Sequence, residues 1–102
     1  MTFDDFTASV RAERPPALPP LLVALWHDAR GDWDQAHRLA QDVDTPDGCW
    51  VHAYLHRREG DLGNARYWYR RAGRPEAATA CDDEWADIAR ALLGHAGSGR
   101  SG

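Results

Sequence analysis

The sequence predicts an all-α fold, an α-α superhelix in which two similar helical hairpins are flanked by an N-terminal helix and a long C-terminal helix. Three observations predict it. The frame Gly-Asp-apolar-x-(Gln/Asn)-Ala occurs at residues 31–36 and returns at 60–65, a spacing of 29 residues in a chain of 102. Apolar residues recur at helical spacing through both segments. Each Gly-Asp pair joins a helix end to an N-cap, which is typical of a tight helix–turn–helix.

The first element is predicted as a short amphipathic helix over about residues 2–13. Thr2 is a candidate N-cap, and Asp5 is its reciprocal partner in a capping box. The apolar face of this helix would consist of Phe3, Phe6 and Val10. Four prolines in six residues follow. They predict a stiff connector at 14–20, because proline cannot continue a helix.

The two hairpins are predicted over about 20–44 and 49–73, with a turn at 44–48 between them. Pro20 can open the first helix, and Asp32 and Asp61 can cap the second helix of each pair. The apolar stripes match position by position. Leu21 aligns with Trp50, Leu22 with Val51, Leu25 with Tyr54, Trp26 with Leu55, Ala36 with Ala65, Leu39 with Trp68, Ala40 with Tyr69, and Val43 with Ala72.

The last helix is predicted over about 76–93, after Gly73 ends the preceding one and Pro75 opens it. Its apolar stripe would consist of Ala77, Cys81, Trp85, Ile88, Ala89 and Leu92. Residues 1–94 would form one domain, whose two flanking helices close the ends of the array. Residues 95–102 are rich in Gly and Ser and are expected to be a disordered tail.

Composition and charge exclude several classes of protein. No apolar run approaches the ~20 residues of a membrane-spanning helix, and the acidic start of the chain lacks the layout of a signal peptide. We therefore expect a cytoplasmic protein with no membrane partner. The net charge of −4 argues against nucleic-acid binding, which needs a basic surface. Cys49 and Cys81 are expected to be free, because disulfides are rare in the cytoplasm. All twelve basic residues are arginine, which is typical of a GC-rich bacterial genome.

The segments GDWDQAHRLAQDVDTP and GDLGNARYWYRRAGRP resemble the second helix of tetratricopeptide or Sel1-like repeats. The motif of that family is Gly-Asp-aromatic, an Ala three residues later and a Pro about ten residues beyond; the second segment has Leu62 at the aromatic position. The resemblance covers roughly residues 20–75, although the spacing of 29 residues is shorter than the ~34 of a tetratricopeptide repeat. It implies helical hairpins with a binding groove, and it implies no catalytic residues.

A first candidate site combines a thiol with two imidazoles on one helix face. Cys49, His52 and His56 stand at i, i+3 and i+7. Such a face suits Zn²⁺ or another metal that prefers nitrogen and sulfur, with a fourth ligand from elsewhere. His27 is the repeat counterpart of His56 and could reach it if the first helices stack. The alternative is an ordinary polar face with Cys49 half-buried.

A second candidate site is the basic face of the second helix of the second hairpin, which carries Arg66, Arg70, Arg71, Arg74 and Tyr67. This helix could pack beside the acidic last helix so that the charges pair. It could instead bind an anion or an acidic peptide, because arginine forks suit carboxylate and phosphate. Single-stranded RNA stacked on Tyr67 is disfavoured by the net charge.

The function predicted from these patterns is a non-enzymatic module that binds a protein or peptide segment in the groove of the first helices. The residues expected to bind it are Trp50, Tyr54, His27, His52, His56, Arg57, Arg66 and Arg70. The alternative is a small metal- or anionic-ligand-binding protein that uses the Cys/His face or the Arg-rich helix, with Zn as its cofactor. No catalytic motif is present, and an exposed hydrophobic end would favour a homodimer.

Overall fold

The computed structural model of the protein describes residues 1–98. These residues contain six α-helices and no strand. The helices are α1 (Phe3–Ser9), α2 (Pro20–Ala29), α3 (Trp33–Gln41), α4 (Pro46–Glu59), α5 (Leu62–Ala72) and α6 (Cys81–Ser98). The all-α prediction is therefore confirmed. None of these described helices is both long enough and apolar enough to cross a membrane.

The two Gly-Asp turns are built alike. Gly31 and Gly60 have φ of 82° and 93°, a left-handed conformation that glycine adopts without strain. The Asp32 carboxylate accepts a hydrogen bond from the backbone amide of Gln35, and the Asp61 carboxylate accepts one from the backbone amide of Asn64. These caps confirm the helix starts predicted from the repeated frame. In the resulting hairpins α2 packs on α3 and α4 packs on α5, while α3 and α4 join one hairpin to the other.

Several helix ends differ from the predicted ones. Helix α1 ends at Ser9, and only isolated turns follow it before the prolines. The predicted turn at 44–48 is shorter, because the Thr45 hydroxyl accepts a hydrogen bond from the Gly48 amide and caps α4 from Pro46 onward. Such side-chain caps satisfy backbone donors at a helix start.

Helix α6 begins at Cys81 rather than near 76, and residues 74–80 are irregular. Three acidic residues occupy its first turn, where negative charge is stabilised by the helix dipole. The helix continues to Ser98, so the start of the predicted disordered tail is helical. The rest of that predicted tail, 99–102, lies outside the described residues.

Helix α6 also lies in an unexpected place. The sequence predicted that it would close the end of the array, but it packs against both α2 and α4. The indole of Trp85 donates a hydrogen bond to the Leu25 carbonyl (3.0 Å), and Phe6 of α1 stacks on that indole at 5.6 Å between ring centres. Helices α1 and α6 therefore cover the face formed by the first helices of the two hairpins.

The core lies between the hairpins and α6. Its largest fully buried side chains are Tyr54, Phe6, Leu22, Leu25, Leu55, Ile88 and Val51. Burial of each large aliphatic or aromatic side chain contributes about 1.5–3 kcal/mol. Leu39 and Trp68, the matched stripe positions of the second helices, are half-buried and pack against this core. These apolar stripe positions therefore point inward, as the sequence predicts.

Candidate metal centre

Three imidazoles meet where the two hairpins join. His37 comes from α3, and His52 and His56 come from α4. One potential ligand atom from each side chain lies within 4.8 Å of the other two. The Nε2 atoms of His37 and His52 are 3.0 Å apart. We call these three residues the histidine cluster.

Helix geometry explains this convergence. His52 and His56 are four residues apart on α4, so their side chains lie one above the other on the same face, with ring centres 4.8 Å apart. His37 follows Ala36, which is fully buried, on a helix that packs against α4. The ring of His37 reaches both rings of α4, at 4.7 Å from His52 and 5.1 Å from His56.

Two tryptophans hold the cluster from outside. Trp33 stacks on His37 with ring centres 4.8 Å apart, and its indole donates a hydrogen bond to the Leu55 carbonyl (2.7 Å). On the other side, Trp68 of α5 stacks on His52 at 4.0 Å. The imidazoles are thus fixed by packed aromatic rings, and ligand groups held in this way lose little freedom when they bind.

The surroundings lower the pKa of two members of the cluster and so favour their neutral form. Burial, followed by the neighbouring His37 and His56 rings, lowers the pKa of His52 to about 4. Burial and then His56 also lower the pKa of His37, although Glu59 and Asp34 act in the opposite direction. Neutral imidazole is the form that binds metal.

A carboxylate orients the third ring. Nδ1 of His56 lies 2.8 Å from Oε2 of Glu59, so an Nδ1–H donor leaves the Nε2 lone pair free for a metal. Metal-ligating histidines commonly have such a carboxylate partner, which fixes their tautomer. His56 also forms a second, largely exposed group with Glu59 and Asp61, in which the carboxylates are open to solvent.

The distances suit a small divalent ion after a modest contraction. Zn–N bonds of about 2.0–2.1 Å in a tetrahedral site place ligand nitrogens roughly 3.3 Å apart. The separation between His37 and His52 is already close to this value. Within residues 1–98, no fourth His, Cys, Asp or Glu atom joins the group. Three imidazoles are a donor set that suits Zn, Co, Ni and Cu.

The cluster differs from the predicted metal face in one of its three members. Cys49 is buried but lies outside the group, and His37 takes its place. His27 lies against the indole of Trp26 and has Nδ1 3.9 Å from a carboxylate oxygen of Asp32, so it does not reach His56. The sequence offered only an indirect signal for His37, because stacking of the two predicted hairpins brings α3 against α4 without fixing which face of α3 makes the contact.

Three residues predicted to bind a peptide are engaged inside the protein instead. The Trp50 indole donates to Glu84 of α6 (3.2 Å). Tyr54 is fully buried and its hydroxyl donates to the Asp28 carboxylate (2.6 Å). Arg57 donates to Glu84 (2.9 Å). Trp50 and Arg57 thus join α4 to the C-terminal helix, whereas Tyr54 joins α4 to α2.

The basic face of α5 is only partly paired. Arg66 lies 4.0 Å from Glu76 in the irregular segment, and Arg70 is exposed. The acids of α6 pair instead with α4, because Glu84 contacts Arg57 and Asp82 contacts Arg58 (2.6 Å). The expected pairing between the Arg-rich helix, now α5, and the last helix therefore differs from the observed one.

Comparison with protein-family models, with curated proteins and with solved structures found no match. The likeness to tetratricopeptide and Sel1-like repeats stays a prediction from the sequence. Any functional conclusion depends on the geometry described above.

Proposed function

We propose that this protein binds a divalent transition-metal ion, with Zn²⁺ as the first candidate, through His37, His52 and His56. The observation that supports this most strongly is the convergence of three imidazoles from two helices within 4.8 Å of one another. The carboxylate behind His56 adds a feature of metal sites that plain packing of aromatic rings does not require.

A bound ion would also join the two hairpins. His37 belongs to the first hairpin and the other two ligands belong to the second, so the metal bridges α3 and α4. An ion that binds only the folded chain stabilises it by mass action, by about 2.7 kcal/mol at a free concentration 100 times the Kd. Metal binding and folding are therefore coupled in this proposal.

Peptide binding in the groove of the first helices has less support from the geometry. That face is covered by α6, and its predicted contact residues Trp50, Tyr54 and Arg57 are bonded within the protein. A partner would have to break these internal contacts to bind through the three side chains.

The test uses tag-free protein stripped of metal with a chelator. Titration with Co²⁺ should give the visible absorption of a tetrahedral cobalt site at a stoichiometry of one, and Zn²⁺ should displace the cobalt. His37→Phe keeps an aromatic ring on Trp33 but removes the ligand nitrogen, so it should abolish the visible bands. His27→Ala is the matched control, because His27 lies outside the cluster, and it should bind as the unmodified protein does.

Two results would remove the proposal. One is a cobalt titration of the folded, unmodified protein that yields no visible bands. The other is binding that persists unchanged in both His37→Phe and His52→Phe while the variants remain folded by circular dichroism.

A further inference from the structure

The histidine cluster leaves one coordination position for a ligand from outside the described chain. Zn²⁺ and Co²⁺ in protein sites usually have four ligands, and sites with three protein ligands keep the fourth position for water or a bound molecule. The group contains three side chains and gains no fourth from residues 1–98. The question is which chemistry the surroundings of the cluster select for that position.

A cavity of about 270 Å³ adjoins the cluster at His52, the member of the cluster that lies in its wall. It lies between the C-terminal end of α3, the start of α4 and the face of α5. Other wall residues that bear on its chemistry are Trp68, Arg71, Cys49 and Asp44. The cavity is large enough for a small polar molecule beside a metal-bound imidazole.

Arg71 gives this cavity a fixed aromatic platform and a positive charge. Its guanidinium carbon lies 5.5 Å from the ring centre of Trp68, the same ring that stacks on His52 at 4.0 Å. It also lies 5.9 Å from the ring of Tyr67. Aromatic rings attract a guanidinium at such distances. One N–H group of Arg71 donates to the Tyr67 hydroxyl (3.5 Å), and the guanidinium has further N–H groups for a ligand. Trp68 therefore connects the arginine to the histidine cluster.

The charges favour an anion. Three neutral imidazoles leave the two positive charges of a bound metal uncompensated, and Arg71 adds a third. Asp44 in the cavity wall and Glu59 behind His56 offset part of this charge without cancelling it. Arginine forms paired hydrogen bonds with carboxylate and phosphate oxygens, and a metal ion dominates the local charge of a site.

We propose that the cavity admits a small oxyanion, a carboxylate or phosphate group, that places one oxygen on the metal and accepts hydrogen bonds from Arg71 with another. This inference depends on the proposed metal site. The metal and the arginine then recognise two oxygens of the same group, so neither an apolar molecule nor a cation can replace it.

The experiment follows the visible spectrum of the Co²⁺-loaded full chain during titration with acetate and, separately, inorganic phosphate at constant ionic strength. We expect a saturable change in the cobalt bands. Arg71→Gln removes the charge from an exposed side chain and should weaken the apparent affinity about tenfold or more. Arg70→Gln is the matched control, because Arg70 is exposed on the same helix and is not in the cavity wall.

The outcomes separate the two proposals. Absence of cobalt bands overturns the metal site itself. Cobalt bands that do not respond to either anion, or that respond equally in Arg71→Gln and the unmodified protein, overturn the anion proposal alone. A near-ultraviolet thiolate charge-transfer band that disappears in Cys49→Ser also overturns it, because Cys49 would then occupy the fourth position.

Discussion

The Nε2 atoms of His37 and His52 face each other at 3.0 Å across the contact between the two hairpins. At this distance one ring donates a hydrogen bond and the other accepts it. A metal needs a lone pair on both atoms, so the donating ring must move its proton to Nδ1. The same pair can thus link the hairpins through a hydrogen bond without metal and through coordination with it.

Acid should destabilise the metal-free protein through this cluster. The pKa of His52 is about 4 in the folded chain and about 6.5 when unfolded. Between these values the unfolded chain binds more protons, so the free energy of unfolding falls as pH is lowered from about 7 towards 4. Chemical denaturation at several pH values should show that the cluster lowers the free energy of unfolding by an amount on the order of 1–3 kcal/mol over this range.

The buried Asp28 acts in the opposite direction, because burial raises its pKa and its protonation favours the folded state at low pH. Comparison with His52→Phe isolates the histidines, and this variant should show a weaker loss of stability between pH 7 and 5. Ala53→Gly lies on the same helix and changes no titratable group, so it should retain the original dependence. If the free energy of unfolding changed equally with pH in His52→Phe and in the unmodified protein, that result would contradict the role of the cluster.

Zn²⁺ should raise the thermal stability of the protein through the link between α3 and α4. With free Zn²⁺ at 100 times the Kd, the gain is about 2.7 kcal/mol, which corresponds to a rise in Tm of roughly 10–20 °C for a domain of this size. Differential scanning calorimetry with and without Zn²⁺ measures it. His56→Phe should lose the gain, whereas His95→Ala, at an exposed position outside the cluster, should keep it.

The parts of the fold that the sequence predicts are those encoded by short-range chemistry. The Gly-Asp turns and the matched stripes locate α2 to α5 because caps, left-handed glycines and helical periodicity act within a few residues. The position of α6 is different. Its apolar stripe indicates that one face is buried, but it does not say against which helix.

Glu84 and His37 show why the site was harder to predict than the fold. Glu84 is 2% exposed, whereas an acid in an acidic run is normally read as a surface residue. His37 joins the cluster only through the rotation of α3 against α4. That rotation depends on packing between hairpins, which periodicity within one helix does not specify. His52 and His56, which share one helix face, were accessible to sequence reasoning.

Removal of the Glu84 carboxylate should destabilise the fold strongly. This buried group accepts hydrogen bonds from the Tyr69 hydroxyl (2.6 Å) and the Trp50 indole, and pairs with Arg57. Glu84→Ala leaves all three donors without their partner, so we expect a loss of about 3 kcal/mol in the free energy of unfolding. Denaturation with urea measures it, with Asp87→Ala as the exposed control on the same helix. A loss below about 1 kcal/mol would contradict the anchoring role.

Two glycines of the second hairpin should respond to alanine with opposite sign. Gly60 has φ of 93°, and although a β carbon there would meet no neighbour within 4 Å, the left-handed backbone costs about 1–2 kcal/mol for other residues. Gly63 lies in the first turn of α5 with open space around it, so alanine there should stabilise the protein by up to about 0.5–1 kcal/mol through lower entropy of the unfolded chain. Urea denaturation of Gly60→Ala and Gly63→Ala measures both values. Neither added side chain would clash. If both variants changed the free energy of unfolding in the same direction, backbone conformation would not control this turn.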